Sequence, residues 1–238
     1  ARGYGLTFGL PTRIDRRVEQ ISTPVHVGNI YINRNQVGAV VGSQPFGGEG
    51  LSGTGPKAGG PHYLPRFYRN DCPEHALITG DVLDANAIEA ALKKLPEPRH
   101  TPLSTTAMPG PTGESNDLSI FARGPILCLG PTIEDAQEQA RIAREQGCPA
   151  LIAVPGASGE HCLDGFVARA DLSRIDGFSA VVLWSEEADR RAVRMALAER
   201  DGALLPLIIE RDFAERCHVE RHVCNDTTAA GGNVSLLS

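Results

Sequence analysis

Between residues 125 and 209 the chain alternates between short apolar runs and longer amphipathic segments. The apolar runs are bounded by turn residues, which predicts strands that are buried on both faces. The amphipathic segments have helical spacing, and Thr132 with Asp135 provides an N-cap for the first of them. The predicted strands and helices, in chain order, are strand 125–130, helix 132–147, strand 150–155, strand 179–184, helix 186–200 and strand 204–209.

Strands that alternate with helices at this spacing are typical of right-handed crossovers between parallel strands. We therefore predict an α/β fold in which a Rossmann-like parallel sheet is flanked by helices.

The rest of the chain is less regular. Residues 1–69 are expected to form strands and loops, with a short helix over about 13–22. A further helix is predicted from Asp84 to Leu95, with Asp84 as its N-cap. Residues 96–117 are rich in Pro, Ser, Thr and Gly, which predicts a surface loop or linker. Three consecutive parts are expected: an N-terminal part at 1–73, the Rossmann-like domain at 74–216, and a strand with a docking tail at 217–238.

One segment has an unusual density of glycine. It follows an apolar strand at residues 27–35 and includes a single aromatic residue, Phe46. Glycine allows main-chain N–H groups to face a bound group without interference from a Cβ atom. The segment therefore predicts a loop that can hold a carboxylate or a phosphate. Its glycines are Gly38, Gly42, Gly47, Gly48, Gly50, Gly53 and Gly55.

Composition excludes several classes of function. The net charge of −6 argues against nucleic-acid binding, which needs clustered Lys and Arg. No apolar run has the length of a membrane span. The six cysteines are dispersed and form no C-x-x-C pair, which is typical of reduced thiols in the cytoplasm.

Two turns of the Rossmann-like domain are candidates for anion binding. In the first, Pro131 follows Gly130 and removes an N–H that a pyrophosphate would need, so the dinucleotide pattern is broken. In the second, Gly156 and Gly159 leave open an anion nest, although their spacing matches no nucleotide motif. We predict a domain that binds no nucleotide, with an unidentified anion or nucleotide site as the alternative.

Two clusters contain residue types that ligate metals or act as nucleophiles. The first is expected to be an exposed strand face rather than a metal site, because one strand cannot supply tetrahedral zinc coordination. The second, His161 and Cys162 near Asp164, is not expected to be catalytic, because neighbours in a strand point to opposite faces. The residues of the first cluster are Cys217, His218, Glu220, His222 and Cys224.

Four motifs carry a family resemblance: Gly3–Thr7, Gly28–Asn35, Gln36–Gly42 leading into Pro45–Gly48, and Asn225–Leu237. Residues 1 to about 69 resemble the last part of an aldehyde dehydrogenase catalytic domain. More narrowly, they are similar to the glutamate-semialdehyde (1-pyrroline-5-carboxylate) dehydrogenase half of the bifunctional proline utilization A family. The terminal motif resembles the one that ends these bifunctional chains.

The resemblance implies a substrate site in the glycine-rich loop. Gly38 and Ala39 match the positions whose backbone amides hold the α-carboxylate of glutamate semialdehyde. Phe46 matches the aromatic residue that packs against the aliphatic part of this substrate. Where monofunctional relatives have a serine, this chain has Ala39, so the anchor depends more on main-chain donors.

The resemblance also implies what lies elsewhere. In this family the catalytic cysteine, the activating glutamate and the NAD site precede these motifs, and FAD serves the proline-oxidising half. The chain is therefore expected to be an inactive C-terminal fragment that binds no cofactor and no metal. Its expected partners are its own upstream catalytic domains and a second copy contacted through a strand-rich flap. The alternative is a structural or interaction module with no substrate role.

Overall fold

The computed structural model describes residues 3–53, 55–68 and 70–228. The helices in these ranges are α1 (Asp15–Ser22), α2 (Ala85–Leu92), α3 (Ile133–Glu145) and α4 (Glu187–Ala198). Short 3-10 helices occur at Leu64–Phe67, Arg169–Ser173 and Ala214–Cys217. The strands are β1 (Tyr4–Gly5), β2 (Thr7–Leu10), β3 (Asn29–Ile32), β4 (Glu49–Gly50), β5 (Ser104–Met108), β6 (Glu114–Ala122), β7 (Ile126–Cys128), β8 (Ala150–Val154), β9 (Cys162–Asp164), β10 (Ala180–Val182), β11 (Leu207–Ile208) and β12 (His218–Asp226). None of the described helices is long and apolar enough to cross a membrane.

The chain divides into two compact units, each assembled from separate stretches of sequence. The first contains residues 1–68, 102–121 and 219–238, and the second contains residues 69–101 and 122–218. The first unit is built on a five-stranded sheet with the order β2-β3-β12-β6-β5. Strands β2 and β12 both run parallel to β3, whereas β5 and β6 form an antiparallel hairpin.

The second unit contains the predicted Rossmann-like sheet. Its five strands are all parallel and have the order β9-β8-β7-β10-β11. Counted along the chain, this is the 3-2-1-4-5 order of doubly wound nucleotide-binding folds. The prediction of a parallel sheet flanked by helices is confirmed.

Alternate strand residues of the second unit face two separate apolar layers. One layer packs β7, β8 and β10 against the small residues of α3, among them Ala136, Ala140 and Ala143. The other packs the opposite faces of the same strands against α2 and α4, through Ile88 and Val193. Since both faces are covered, the strands are nearly continuous apolar runs, which is why they are recognisable in the sequence.

The predicted helix starts are confirmed in detail. Asp84 accepts a hydrogen bond from the Asn86 amide at the start of α2. Thr132 and Asp135 form a reciprocal capping box at the start of α3, with Thr132 Oγ1 accepting from the Asp135 amide at 3.0 Å.

The prediction of a loop over residues 96–117 is wrong in its second half. Residues 104–108 and the start of β6 form a hairpin instead. The polar composition that indicated a loop reflects an exposed edge strand, because β5 is almost entirely solvent-exposed. The hairpin and β12 join residues 1–68 in one unit, so the observed units differ from the consecutive segments 1–73, 74–216 and 217–238.

Candidate functional site

The glycine-rich loop passes close to the start of β3, and Gly28 makes this approach possible. A Cβ atom at Gly28 would lie 1.8 Å from the carbonyl oxygen of Gly47 and 2.7 Å from the Cα atom of Gly48. Both are backbone atoms, which cannot rotate away as a side chain would. The path of the loop past β3 therefore requires glycine at this position.

The side chain of Asn29 ties the centre of the loop to β3. It is fully buried, and its Nδ2 donates to the Pro45 carbonyl at 2.9 Å. Its Oδ1 accepts from the Gly47 amide and from Lys57 Nζ, each at 3.1 Å. The residue between Pro45 and Gly47 is Phe46, so Asn29 fixes the backbone on both sides of the predicted substrate contact.

The predicted anchor residues lie in a turn whose flanking amides are satisfied. The Val37 amide donates to Asn35 Oδ1 at 3.1 Å, and the Val40 amide donates to Gln44 Oε1 at 3.0 Å. Within the described part of the chain, the amides of Gly38 and Ala39 donate to no acceptor. Gly38 is exposed and has a φ of 74°, a left-handed conformation that favours glycine. The turn thus contains two adjacent N–H groups without an acceptor among the described residues.

Phe46 belongs to the same loop and is half-buried. Its backbone forms a two-way bridge with Ala58, with N–O distances of 3.0 and 2.9 Å. These two bonds fix the main chain of Phe46, and with it the point from which the ring projects.

Strand β12 supports this loop through side chains whose sequence pattern predicts an exposed strand face. Glu220 is 9% exposed, and His222 and Cys224 are fully buried, so the predicted exposed face is wrong. Glu220 Oε2 accepts from the Lys57 amide at 2.6 Å, and its Oε1 lies 2.7 Å from His62 Nδ1. The strand is central in its sheet, and its Glu220 carboxylate pairs with Lys57 and His62.

Lys57 is the buried cation of this arrangement. Its Nζ donates to Asn29 Oδ1 and to the Gly47 carbonyl, and the residue is 2% exposed. Burial lowers the pKa of Lys57 to about 8, although the charges of Glu220 and Glu49 oppose this. The ammonium group is therefore held by hydrogen bonds in a site that disfavours its charge.

His222 is fully buried, and among the described residues its only polar contact is with the Ser43 backbone, at a geometry too poor for a regular hydrogen bond. Burial and the neighbouring charges of Lys57 and Arg34 lower its pKa to about 4, with Glu114 acting in the opposite direction. The folded chain therefore holds a neutral imidazole over most of the physiological range.

We expect this neutral imidazole to make stability depend on pH. Between pH 6.5 and 4 the unfolded chain binds a proton at His222 that the folded chain does not. The free energy of unfolding should therefore fall by about 3 kcal/mol as the pH falls through this window, and the contribution should flatten below it. Urea midpoints at a series of pH values measure the effect. In His222→Leu the free energy of unfolding should lose most of this dependence on pH. The control His100→Leu, at an exposed position, should keep it. An unchanged slope in His222→Leu would contradict the assignment.

Among the described residues, the two clusters of potential ligands or nucleophiles form neither a metal site nor a cysteine–histidine pair. No group of three or more His, Cys, Asp or Glu side chains there is arranged to hold a metal ion. His161 lies 3.5 Å from the Glu160 carboxylate, whereas the Cys162 thiol donates to the Glu160 carbonyl at 3.6 Å. All six cysteines are free.

The two turns of the Rossmann-like domain use their amides internally. The Gly130 amide donates to Gln139 Oε1 at 3.1 Å, and Gln139 Nε2 returns a bond to the Gly130 carbonyl at 2.9 Å. The Gly156 amide donates to Asp164 Oδ1 at 2.6 Å. A phosphate at either turn would have to displace a side chain of the domain itself. This geometry agrees with a domain that binds no nucleotide, which stays a prediction.

The C-terminal motif is described only at its beginning. The amide and the hydroxyl of Thr227 both donate to the Gly113 carbonyl, at 2.8 and 2.7 Å. Residues 229–238 lie outside the described residues, so the docking predicted for this tail stays a prediction.

With this geometry in place, comparison with known proteins defines the class of the N-terminal part. Residues 1–71 match the aldehyde dehydrogenase family. These residues include Gly28, Asn29 and the whole glycine-rich loop. Over 61 residues, which cover 26% of this chain and 12% of the relative, the chain is 56% identical to 1-pyrroline-5-carboxylate dehydrogenase 1 of Halalkalibacterium halodurans.

The chain as a whole is related to the bifunctional PutA proteins. It is 38% identical to Bifunctional protein PutA of Escherichia coli (strain K12), in an alignment that covers 100% of this chain and 21% of the relative. The chain thus spans about a fifth of the length of the curated relatives that it matches in full. The solved structure of Proline Utilization A (PutA) from Corynebacterium freiburgense has a TM-score of 0.48 and 21% identity, over 94% of this chain and 23% of that one.

Proposed function

We propose that this chain is the C-terminal part of a bifunctional enzyme of proline catabolism in the cytoplasm. The full-length protein would oxidise proline with FAD and then oxidise glutamate semialdehyde to glutamate with NAD⁺. Support comes from the relationship to PutA proteins along the whole chain and from the aldehyde dehydrogenase match of residues 1–71. The observation that carries the proposal is the pair of open amides at Gly38 and Ala39.

In this proposal the glycine-rich loop anchors the substrate. Glutamate semialdehyde has a carboxylate at one end and an aldehyde at the other, separated by a short aliphatic chain. The amides of Gly38 and Ala39 bind the carboxylate, because adjacent N–H groups in a turn form a concave site of positive potential. Phe46 packs against the aliphatic carbons. Holding the carboxylate at a fixed point orients the aldehyde towards its nucleophile, which lowers the entropic cost of reaction.

The cofactors are assigned to other domains of the full-length protein. FAD and NAD⁺ would supply the two oxidation steps when bound, and the first turn of the Rossmann-like domain does not fit a dinucleotide. In the Rossmann-like domain the Gly130 amide is occupied by Gln139, and Pro131 lacks an N–H. We therefore expect the isolated chain to bind neither cofactor and to have no dehydrogenase activity.

The remaining parts of the chain have supporting roles in this proposal. The Rossmann-like domain acts as a lid on the upstream catalytic domains, and the strand-rich N-terminal part is a surface for homodimer formation. The competing hypothesis is an interaction module with no substrate role. The exposure of Val37 (85%) and Val41 (94%) on either side of the turn favours it, because exposed apolar side chains mark contact surfaces.

Replacing Phe46 with alanine in the full-length gene product distinguishes the two. If the loop anchors substrate, KM for glutamate semialdehyde should rise roughly tenfold, since the lost apolar contact corresponds to about 1–2 kcal/mol. Proline oxidation should stay within about twofold of the unmodified protein. Phe67→Ala is the matched control, because Phe67 is 70% exposed in a neighbouring segment. Equal semialdehyde kinetics in Phe46→Ala and the control would refute the anchoring role.

A further inference from the structure

A series of polar side chains with little solvent exposure holds the turn that contains the proposed anchor. The Val40 amide donates to Gln44 Oε1 at 3.0 Å, and Gln44 Nε2 donates to Glu114 Oε1 at 2.8 Å. The second oxygen of Glu114 accepts from Arg34 Nη1 at 2.8 Å. Gln44 is 3% exposed, so water cannot easily replace these bonds. The turn is thus connected through Gln44 to a carboxylate on β6.

Glu114 determines the orientation of the Gln44 amide group. An ionised carboxylate only accepts hydrogen bonds, so Gln44 must direct its NH₂ group towards Glu114. The oxygen of Gln44 then faces the Val40 amide. In the reverse orientation the NH₂ group would face the Val40 N–H and the oxygen would face the carboxylate, so both hydrogen bonds of the buried Gln44 side chain would be lost. The arrangement therefore depends on an acceptor at position 114.

The surroundings of Glu114 keep it in the accepting form. Burial alone would raise the pKa of Glu114, but hydrogen bonds from Asn116 and Gln44 and the charge of Arg34 hold it below its ordinary value. Asn116 Nδ2 donates to Glu114 Oε1 at 2.9 Å. The carboxyl group is therefore ionised at neutral pH, and Arg34 compensates its charge close to a site that would bind an anion.

Glu114 lies beyond residues 1–71, the part that matches the aldehyde dehydrogenase family. It belongs to the β5–β6 hairpin, in a stretch whose composition predicts a loop. The shape of the turn is thus set in part by a strand outside the region of family similarity.

We propose that Glu114 and Gln44 are positioning residues for the carboxylate anchor at Gly38 and Ala39. The inference rests on the proposed function of that anchor. By holding the Val40 amide, they maintain the turn in the conformation that leaves the two preceding amides open. They act on recognition of the substrate carboxylate and not on the chemistry at the aldehyde.

The test is Glu114→Gln in the full-length gene product, assayed with two aldehydes. A glutamine at position 114 has its own NH₂ group and no charge, so it no longer enforces the orientation of Gln44. KM for glutamate semialdehyde should rise about tenfold while kcat stays within about twofold, because only ground-state anchoring is impaired. KM for propanal, which has no carboxylate, should be unchanged. Asp117→Asn is the matched control, since it removes the same charge from the opposite face of the same strand.

Each outcome decides between the proposals. The positioning role would be overturned if KM rose for both aldehydes, or if it rose for neither. The Phe46→Ala variant tests the anchor itself separately. If the unmodified full-length protein did not oxidise glutamate semialdehyde, both proposals would fail. Should Glu114→Gln fold poorly, Gln44→Met tests the same link, because methionine fills the space without accepting from Val40. Gln44→Met should raise KM for glutamate semialdehyde about tenfold and leave KM for propanal unchanged. If its kinetics were the same as those of Asp117→Asn, the inference would be overturned.

Discussion

Gly28→Ala should nearly abolish semialdehyde oxidation in the full-length protein. The added Cβ would lie 1.8 Å from the Gly47 carbonyl oxygen, a separation that no packing adjustment of a side chain can relieve. Either β3 or the loop must move, and overpacking of this kind costs about 3 kcal/mol or more. We expect kcat/KM to fall by at least about 100-fold, or the protein to unfold at a lower urea concentration, because the loop carries the proposed anchor.

A second glycine separates the steric effect from general intolerance of alanine. Gly59 has a φ of 72°, and a Cβ atom there would meet no atom within 4 Å. Gly59→Ala should cost only about 1 kcal/mol of backbone strain and leave the kinetics nearly unchanged. Measured urea midpoints and semialdehyde kinetics for the two variants give the comparison. If both variants behaved alike, the close approach between β3 and the loop would not be the reason for glycine at position 28.

Asn29→Ala should have the second-largest effect. It removes the acceptor for the half-buried Gly47 amide and the donor to the buried Pro45 carbonyl, leaving both groups without this partner. Each such group costs about 1–3 kcal/mol, so a loss of roughly 3–5 kcal/mol in the free energy of unfolding is expected. Lys57 also loses one of its two acceptors, which makes its buried charge less favourable.

The conservative and control variants make this prediction specific. Asn29→Asp retains an acceptor for the Gly47 amide but turns a second oxygen towards the Pro45 carbonyl. Its free energy of unfolding should therefore lie between those of Asn29→Ala and the unmodified protein. Asn86→Ala alters an exposed asparagine on α2 and should change the unfolding free energy by less than about 0.5 kcal/mol. Denaturation of the three variants beside the unmodified protein measures these differences. A loss in Asn29→Ala no larger than in Asn86→Ala would contradict the bridging role.

Much of the second unit could be predicted from local signals. The strands β7, β8 and β10 are buried on both faces, and their apolar runs stand out against the amphipathic helices between them. Helix starts were recognisable because a cap is a local interaction, as at Asp84 and Thr132. The ends of the strands were less well defined, since β11 contains only Leu207–Ile208 of the apolar run at 204–209.

The first unit was predicted less well because its contacts join residues that are far apart in the sequence. The local sequence predicts that Glu220 is an exposed strand residue, because its partners Lys57 and His62 are distant in the chain. Glu114 lies in a stretch whose composition favours a loop, and its pairing with Arg34 and Gln44 has no local signature. Asn29 did give a signal, because a polar residue within an apolar strand requires a partner when buried.

The sequence by itself determined the α/β class, the parallel sheet of the Rossmann-like part, the relationship to aldehyde dehydrogenases and the loop that contains Gly38, Ala39 and Phe46. These follow from periodicity, caps and motifs, which depend on neighbouring residues. Only the tertiary structure decided how that loop is held. Strand β12 supplies the buried carboxylate of Glu220 and the β5–β6 hairpin the half-buried carboxylate of Glu114. Such groups are stable only beside the donors that folding brings to them.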